Sequence, residues 1–287
     1  MPVRLQDFHG MPALVLERPD GARAVVLLHG GHVVSWRAAG APQEQLYLSP
    51  ASLFADDKAV RGGVPVIFPQ FADRGPFVRH GFARTRRWQR LPGSAGVDAA
   101  DPQLRLRLCD DAATRALWPH AFTLDLTVRL GRDTLGIDLV CTNTGSAAWT
   151  FTAALHTYLA VRDVAQLQLH GLSGLVCDDR VSGANRVQDE SPLRISGEVD
   201  RVYADVPGPL QLEAPEPAGL RRREIAQQGF TDVVVWNPGA ARCAALPDMP
   251  ADGYHHMLCV EAACINRPVT LAGGQSWTGT QTLRAAG

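Results

Sequence analysis

An all-β sandwich or barrel is the fold class this sequence predicts, and three observations predict it. Apolar residues recur with period two wherever the pattern is clear, the apolar runs are short and bounded by Gly, Pro, Asn or Asp, and helical periodicity is confined to a short turn in "DDAATRALWP". Period two is the spacing at which side chains return to one face of a strand. Many short strands between Gly/Pro turns indicate a sandwich or barrel, which can exceed about 200 residues as one domain.

Taken in order, strands are expected at residues 24–28 and 33–36. In "LRLRLC" Leu104, Leu106 and Leu108 form one side, with Arg105 and Arg107 on the other. "FTLDLTVRL" sends Phe122, Leu124, Leu126, Val128 and Leu130 to one face, and "LGIDLVCTN" repeats the pattern. "GRDT" between them is a turn signal, so residues 122–142 read as a β-hairpin. Further strands are expected at residues 149–155, 233–236, 257–262 and 277–283. The Pro/Gly-rich stretches "LPGSAGVDAADPQ" and "DVPGPLQLEAPEPAGL" are read as loops, because strand-like runs continue on both sides unchanged. The chain is therefore expected to be one domain, 1–287.

The 287 residues are 46% hydrophobic, enough for a substantial core. A formal net charge of −1 argues against a general nucleic-acid binder, which shows a strong positive excess. No apolar run approaches the ~20 residues of a membrane helix, and the N-terminus lacks the order of a secretory signal, so a cytoplasmic protein away from membranes is expected. The six cysteines are scattered without a C-x-x-C and are expected to be reduced and mostly buried.

Against this near-neutral background, "GPFVRHGFARTRRW" concentrates Arg79, Arg84, Arg86, Arg87 and a possible protonated His80. Common nucleotide, serine-hydrolase and zinc-protease motifs are missing. Two histidine pairs, His29/His32 and His255/His256, lack an adjacent third ligand, so no metal is expected. His156 interrupts an apolar run in "AALHTYLAV"; it is either a core histidine bonded to a carbonyl or a group that gives and takes protons near neutral pH. Glu261 follows the apolar run 257–260, where a carboxylate is costly unless it is paired, with Arg267 for instance, or faces a cleft. Asp200 and Asp232 also adjoin apolar strand-like segments, where either could cap a turn.

"RGGVPVIFPQF", "HGFARTRRW", "LHTYLAV", "EVDRVY", "DVVVWNPG" and "MLCVEAA", in this order, resemble the glucose-6-phosphate 1-epimerases, the hexose-6-phosphate mutarotase branch of the aldose 1-epimerase family. The resemblance implies a large antiparallel β-sandwich of the galactose-mutarotase type with an open sugar-binding cleft. It implies interconversion of the α and β anomers of an aldohexose 6-phosphate, glucose 6-phosphate first, without a cofactor. It makes His156 the acid and Glu261 the base, and gives substrate contacts to Arg61, Arg84 and Asp200. Arg79 stands where the family usually has glutamine, which both donates and accepts, whereas arginine only donates. His80 and Asp232 complete the candidate substrate-binding set.

The acid/base cycle requires a protonated imidazole beside an ionised carboxylate, which ordinary pKa values of about 6.5 and about 4.3 permit. Arg61, Arg79 and Arg84 would hold a dianionic phosphate, since guanidinium groups bind its oxygens bidentately, while Arg86 and Arg87 would lie on a solvated strand end. A non-catalytic sugar-phosphate-binding module, a hydrolase or lyase pairing Glu261 with Asp200 or Asp232, and a mutarotase of free hexoses are the competing readings. A monomer is expected.

Overall fold

In the computed structural model, residues 3–41, 43–92, 102–217 and 219–286 are described. The first strands are β1 (Val3–Phe8), β2 (Met11–Glu17), β3 (Arg23–Leu27), β4 (Val33–Arg37), β5 (Val66–Ile67) and β6 (Gln89–Arg90). After β7 (Gln103–Cys109) comes helix α1 (Ala112–Leu117), then β8 (Phe122–Leu130), β9 (Thr134–Asn143), β10 (Trp149–Leu155) and β11 (Tyr158–Ala160). The chain continues through β12 (Gln168–His170), β13 (Val176–Asp179), β14 (Ala184–Val187), β15 (Val199–Ala204), β16 (Leu210–Glu216) and β17 (Gly219–Gln228). It ends with β18 (Asp232–Asn237), helix α2 (Gly239–Ala244), β19 (Met257–Leu271) and β20 (Ser276–Ala286).

These strands form three antiparallel sheets. An N-terminal sheet has the order β1-β2-β3-β4. The front sheet runs β14-β13-β15-β18-β19-β10-β5, with β11 pairing β19; the back sheet runs β12-β16-β17-β20-β9-β8-β7-β6. The period-two reading is realised most fully in β8, whose residues alternate buried and half-buried from Phe122 to Leu130. Its buried row joins that of β7 and β9 in one apolar cluster, which also takes in Leu14, Trp36, Tyr203, Val260 and Leu283. Burying each such side chain contributes about 1.5–3 kcal/mol.

Five of the six expected strands lie within observed ones, the sixth, 24–28, runs one residue past the end of β3, and the 122–142 hairpin is β8–β9. The turn in "DDAATRALWP" is α1, started by a capping box in which Asp111 accepts from the Thr114 amide (2.7 Å) and Thr114 Oγ1 accepts from the Asp111 amide (2.8 Å). The proline-rich stretch 205–220 differs from its reading as a loop: Leu210, Leu212 and Ala214 point inward from β16, which pairs with β17 as a hairpin. Pro215 is tolerated because β12 pairs only with residues 211–213, so its missing N–H breaks no bond on that side. Most of the other stretch, residues 93–101, lies outside the described residues. Among the described residues no helix is long and apolar enough to cross a membrane.

Candidate active site

The outer face of the front sheet carries a cleft of about 370 Å³. Its floor is set by strand register. Tyr158 pairs with Cys259, and extending that ladder by two residues brings His156 opposite Glu261. The ladder is still held there, since the Val260 amide donates to Thr157 O (3.1 Å). Across the sheet, Val234 lies opposite Glu261 and Trp236 opposite both Cys259 and Asp200, so these side chains share one face.

His156 Nε2 and Glu261 Oε1 are 3.3 Å apart, with the histidine side chain 10% and the glutamate side chain 1% exposed. Tyr158 stacks on the His156 ring at 4.8 Å, and Trp236 and His80 meet it edge-on at 6.0 and 5.4 Å. The Tyr158 hydroxyl accepts from Arg61 Nη1 (3.0 Å), and Arg61 is clamped by Asp248 through Nε (3.2 Å) and Nη2 (3.1 Å). Aromatic packing and this relay fix the imidazole before any ligand arrives. Two polar atoms of the pair, His156 Nδ1 and Glu261 Oε2, are buried without a hydrogen-bond partner among the described residues. Such atoms are costly unless a ligand or water meets them.

Electrostatics corrects one expectation. Burial, reinforced by Asp200, holds the Glu261 carboxyl well above the usual carboxylate range, and burial with the Arg61 and Arg84 charges holds His156 well below its ordinary value. Both shifts favour the proton of the pair on the carboxyl, against the imidazolium–carboxylate pair read from ordinary values. Either placement leaves one shared proton on the two groups.

His80 is likewise neutral rather than cationic. Burial, then His156, depresses its pKa, and its Nδ1 accepts from the Ala72 amide (3.2 Å), which leaves Nε2 as the N–H donor. Its backbone is left-handed (φ 66°), as is that of Gly81 (φ 67°), where a Cβ would sit 2.1 Å from Phe68 O. The tight "HG" turn thus folds the 71–84 loop over the cleft. Gly63 is similarly required: a Cβ there would meet Val33 O at 2.2 Å. That close approach seats Arg61 at the rim.

Arg61, Arg79, His80, Arg84, Asp200, His156 and Glu261 all line the cleft, as the sequence suggests. Asp232 does not. Its carboxylate accepts from the Ile265 (2.6 Å) and Asn266 (2.9 Å) amides, where β19 has run past its pairing with β18 and those N–H groups need an acceptor. Glu261 is not paired with Arg267, which bonds Asp205 instead. Arg86 and Arg87 lie outside the lining. Sequence reasoning missed Arg74, Arg180 and Arg242, which add three more guanidinium groups to the walls, and Trp236 as a wall residue.

Five of the six cleft arginines are paired: Arg61 with Asp248, Arg74 and Arg180 with Asp178, Arg79 with Asp73, and Arg242 with Glu198. Arg84 has no carboxylate partner among the described residues; its Nη2 donates to Arg79 O (2.9 Å), and its buried Nε is unpartnered. Asp200 is held above its ordinary pKa by burial, against the pull of Arg242, Arg180 and Arg79.

Neither histidine pair noted in the sequence belongs to a converging set of three donors among the described residues. His29 Nε2 donates to Lys58 O and His32 Nε2 to Gly62 O, both at 2.7 Å, and burial takes His32 down to about 3. Among the described residues the one converging set of three potential donors is His156, Cys259 and Glu261.

Residues 12–284 match the aldose 1-epimerase family. A protein of Cenchrus ciliaris described as "Putative glucose-6-phosphate 1-epimerase" is 32% identical over 96% of this chain and 85% of its own. One of the same description from Escherichia coli (strain K12) is 34% identical over 87% of this chain and 82% of its own. The crystal structure of "a putative mutarotase (YeaD) from Salmonella typhimurium" superposes with a TM-score of 0.89 at 29% identity, covering 99% of this chain and 93% of that one.

Proposed function

The chain belongs to the aldose 1-epimerase family, and on that premise we propose that it interconverts the α and β anomers of an aldohexose 6-phosphate, glucose 6-phosphate first among them, without a cofactor. The observation that carries the reading is a buried imidazole–carboxyl pair at 3.3 Å on the floor of a cleft walled by arginines.

Ring opening needs one group to take the proton of the C1 hydroxyl and another to deliver a proton to the ring oxygen as the C1–O5 bond breaks. His156 and Glu261 share one proton and can divide these tasks, with the O1–C1–O5 unit entering between them in place of their direct contact. The aldehyde turns about C1–C2, and reclosure runs both transfers backwards on the other carbonyl face. Each turnover therefore returns the pair to its starting state. Family resemblance assigns His156 as acid and Glu261 as base, while burial favours the opposite placement. A dianionic phosphate beside Arg61 and Arg84 would offset the two charges that disfavour an imidazolium, moving the pair toward the family assignment.

Arg84 is the leading phosphate contact because its charge is uncompensated, with Arg61 and Arg79 flanking it. Asp200, Trp236 and His80 are placed to meet the sugar, His80 through its Nε2–H. We read residues 1–287 as one sandwich domain, since one apolar cluster runs from Val3 to Leu283, and take it to act as a monomer. Six free cysteines support a reducing, cytoplasmic setting.

Magnetisation-exchange NMR between the anomeric signals of glucose 6-phosphate, run beside free glucose and protein-free controls, tests the reading. Protein-dependent exchange confined to the ester supports it. Equal acceleration of both sugars points to a free-hexose mutarotase, and no acceleration of either to a binding module.

A further inference from the structure

Cys259 is the one reactive group beside the acid/base pair to which anomer exchange gives no task. It precedes Glu261 by two residues in β19, so both side chains leave the same face of the strand, and His156 faces them from the adjoining ladder. An imidazole nitrogen, the Cys259 sulfur and a Glu261 oxygen all lie within 4.8 Å of one another. We propose that His156, Cys259 and Glu261 form a binding site for a zinc-class divalent cation, whose occupancy switches the cleft off.

The geometry and the donor chemistry agree. Two ligands at about 2.0 Å from a tetrahedral zinc are about 3.3 Å apart, and His156 Nε2 and Glu261 Oε1 are 3.3 Å apart. The Cys259 sulfur, within 4.8 Å of both other donors, has to approach the same point to about 2.3 Å. Imidazole, thiolate and carboxylate together suit zinc, whereas magnesium and calcium take oxygen-only sets. Binding releases the thiol and carboxyl protons to solvent, and the resulting thiolate and carboxylate balance the two charges of the ion. A neutral cluster is what a buried position requires. Of the neighbouring charges, Arg84 opposes the ion, Asp248 offsets Arg61, and Asp200 acts in its favour beside Glu261. The cleft leaves the fourth position open, as in three-ligand zinc sites. Inhibition follows because the ion holds both proton-transfer groups. That consequence rests on the proposed reaction, whereas the binding does not.

Cobalt(II), a spectroscopic stand-in for zinc, tests binding directly. Titration into the full-length protein is expected to give a near-ultraviolet thiolate-to-cobalt band that zinc abolishes. The band should persist in Cys109→Ser, which removes an exposed thiol, and vanish in Cys259→Ser and in Cys259→Ala, the second variant guarding against a local effect of a buried hydroxyl. In parallel, zinc held at set free concentrations should slow glucose 6-phosphate anomer exchange at least tenfold, and either Cys259 variant should need at least tenfold more zinc for the same effect. A band or a zinc sensitivity unchanged in both Cys259 variants overturns the proposal. If the protein proves inactive on every sugar, the cobalt band alone decides whether the metal site exists.

Discussion

The two eight-stranded sheets follow the same alternation of inward apolar and outward polar residues, yet their outer faces end in opposite states. On the back sheet the outward charges satisfy one another in register. Arg107 lies opposite Asp125 and bonds it twice at 2.6 Å, and Arg129 pairs with Asp138, which also accepts from Thr280 (2.8 Å). On the front sheet the outward row includes Glu261, Asp200 and Trp236, and the 71–84 loop and α2 rise around it. Polar atoms of His156, Glu261 and Arg84 stay buried and unpartnered there. Strand alternation produces a polar face in both cases; covering that face without pairing its charges produces a site.

The contrast can be broken by substitution. Glu261→Gln or His156→Ala should lower the anomer-exchange rate by about 10²–10⁴ with the fold retained, measured by exchange NMR beside circular dichroism; activity near wild type in either would remove the pair from the chemistry. Next in size, Arg84→Ala should raise KM for glucose 6-phosphate about tenfold, the value of one charge-assisted contact, while leaving any activity on free glucose unchanged. Equal effects on the two sugars would show that Arg84 does not meet the phosphate.

The buried carboxyl also sets a pH signature. Its folded pKa is raised above the ordinary carboxylate value, so between the two the unfolded chain gives up a proton that the folded protein keeps. Stability contributed by Glu261 is thus fully present below the ordinary value and is lost as pH rises toward the folded pKa, with a slope of at most about 1.4 kcal/mol per pH unit. Urea unfolding should show Glu261→Gln gaining on wild type from pH 5 to pH 8, and a constant gap would contradict the raised pKa. The smallest effect belongs to the back sheet, where Asp125→Asn should change stability by no more than about 1 kcal/mol and leave turnover untouched.

The same contrast explains what could be read from sequence. Period-two runs with unambiguous turns, such as β8–β9, are local signals and were fully legible. His156 and Glu261 were legible as polar residues intruding on apolar strands, and Arg61 and Arg84 through resemblance. Asp232 carries the same local signal as Glu261 but caps the free amides of β19, a role that depends on where β18 stops pairing. Arg74, Arg180, Arg242 and Asp248 come from separate loops and a short helix, and only the closed fold brings them to one cleft. Ordinary pKa values contain no burial, so the sequence carries no sign of the opposed shifts of His156 and Glu261.

The pairing of five cleft arginines with acids has a consequence for how ligands arrive. Four acids answer the five paired arginines, Asp178 serving both Arg74 and Arg180, and the whole chain sums to −1, so beyond a screening length of about 8 Å much of the attraction felt by an anion is offset. Electrostatic steering, which speeds encounter in proteins with an unbalanced surface field, has little to act on. The rate of encounter should then depend weakly on ionic strength, and a sugar and its phosphate ester are expected to be told apart at contact, where Arg84 has no carboxylate partner among the described residues. This protein does not gather anions from a distance; it sorts them on arrival.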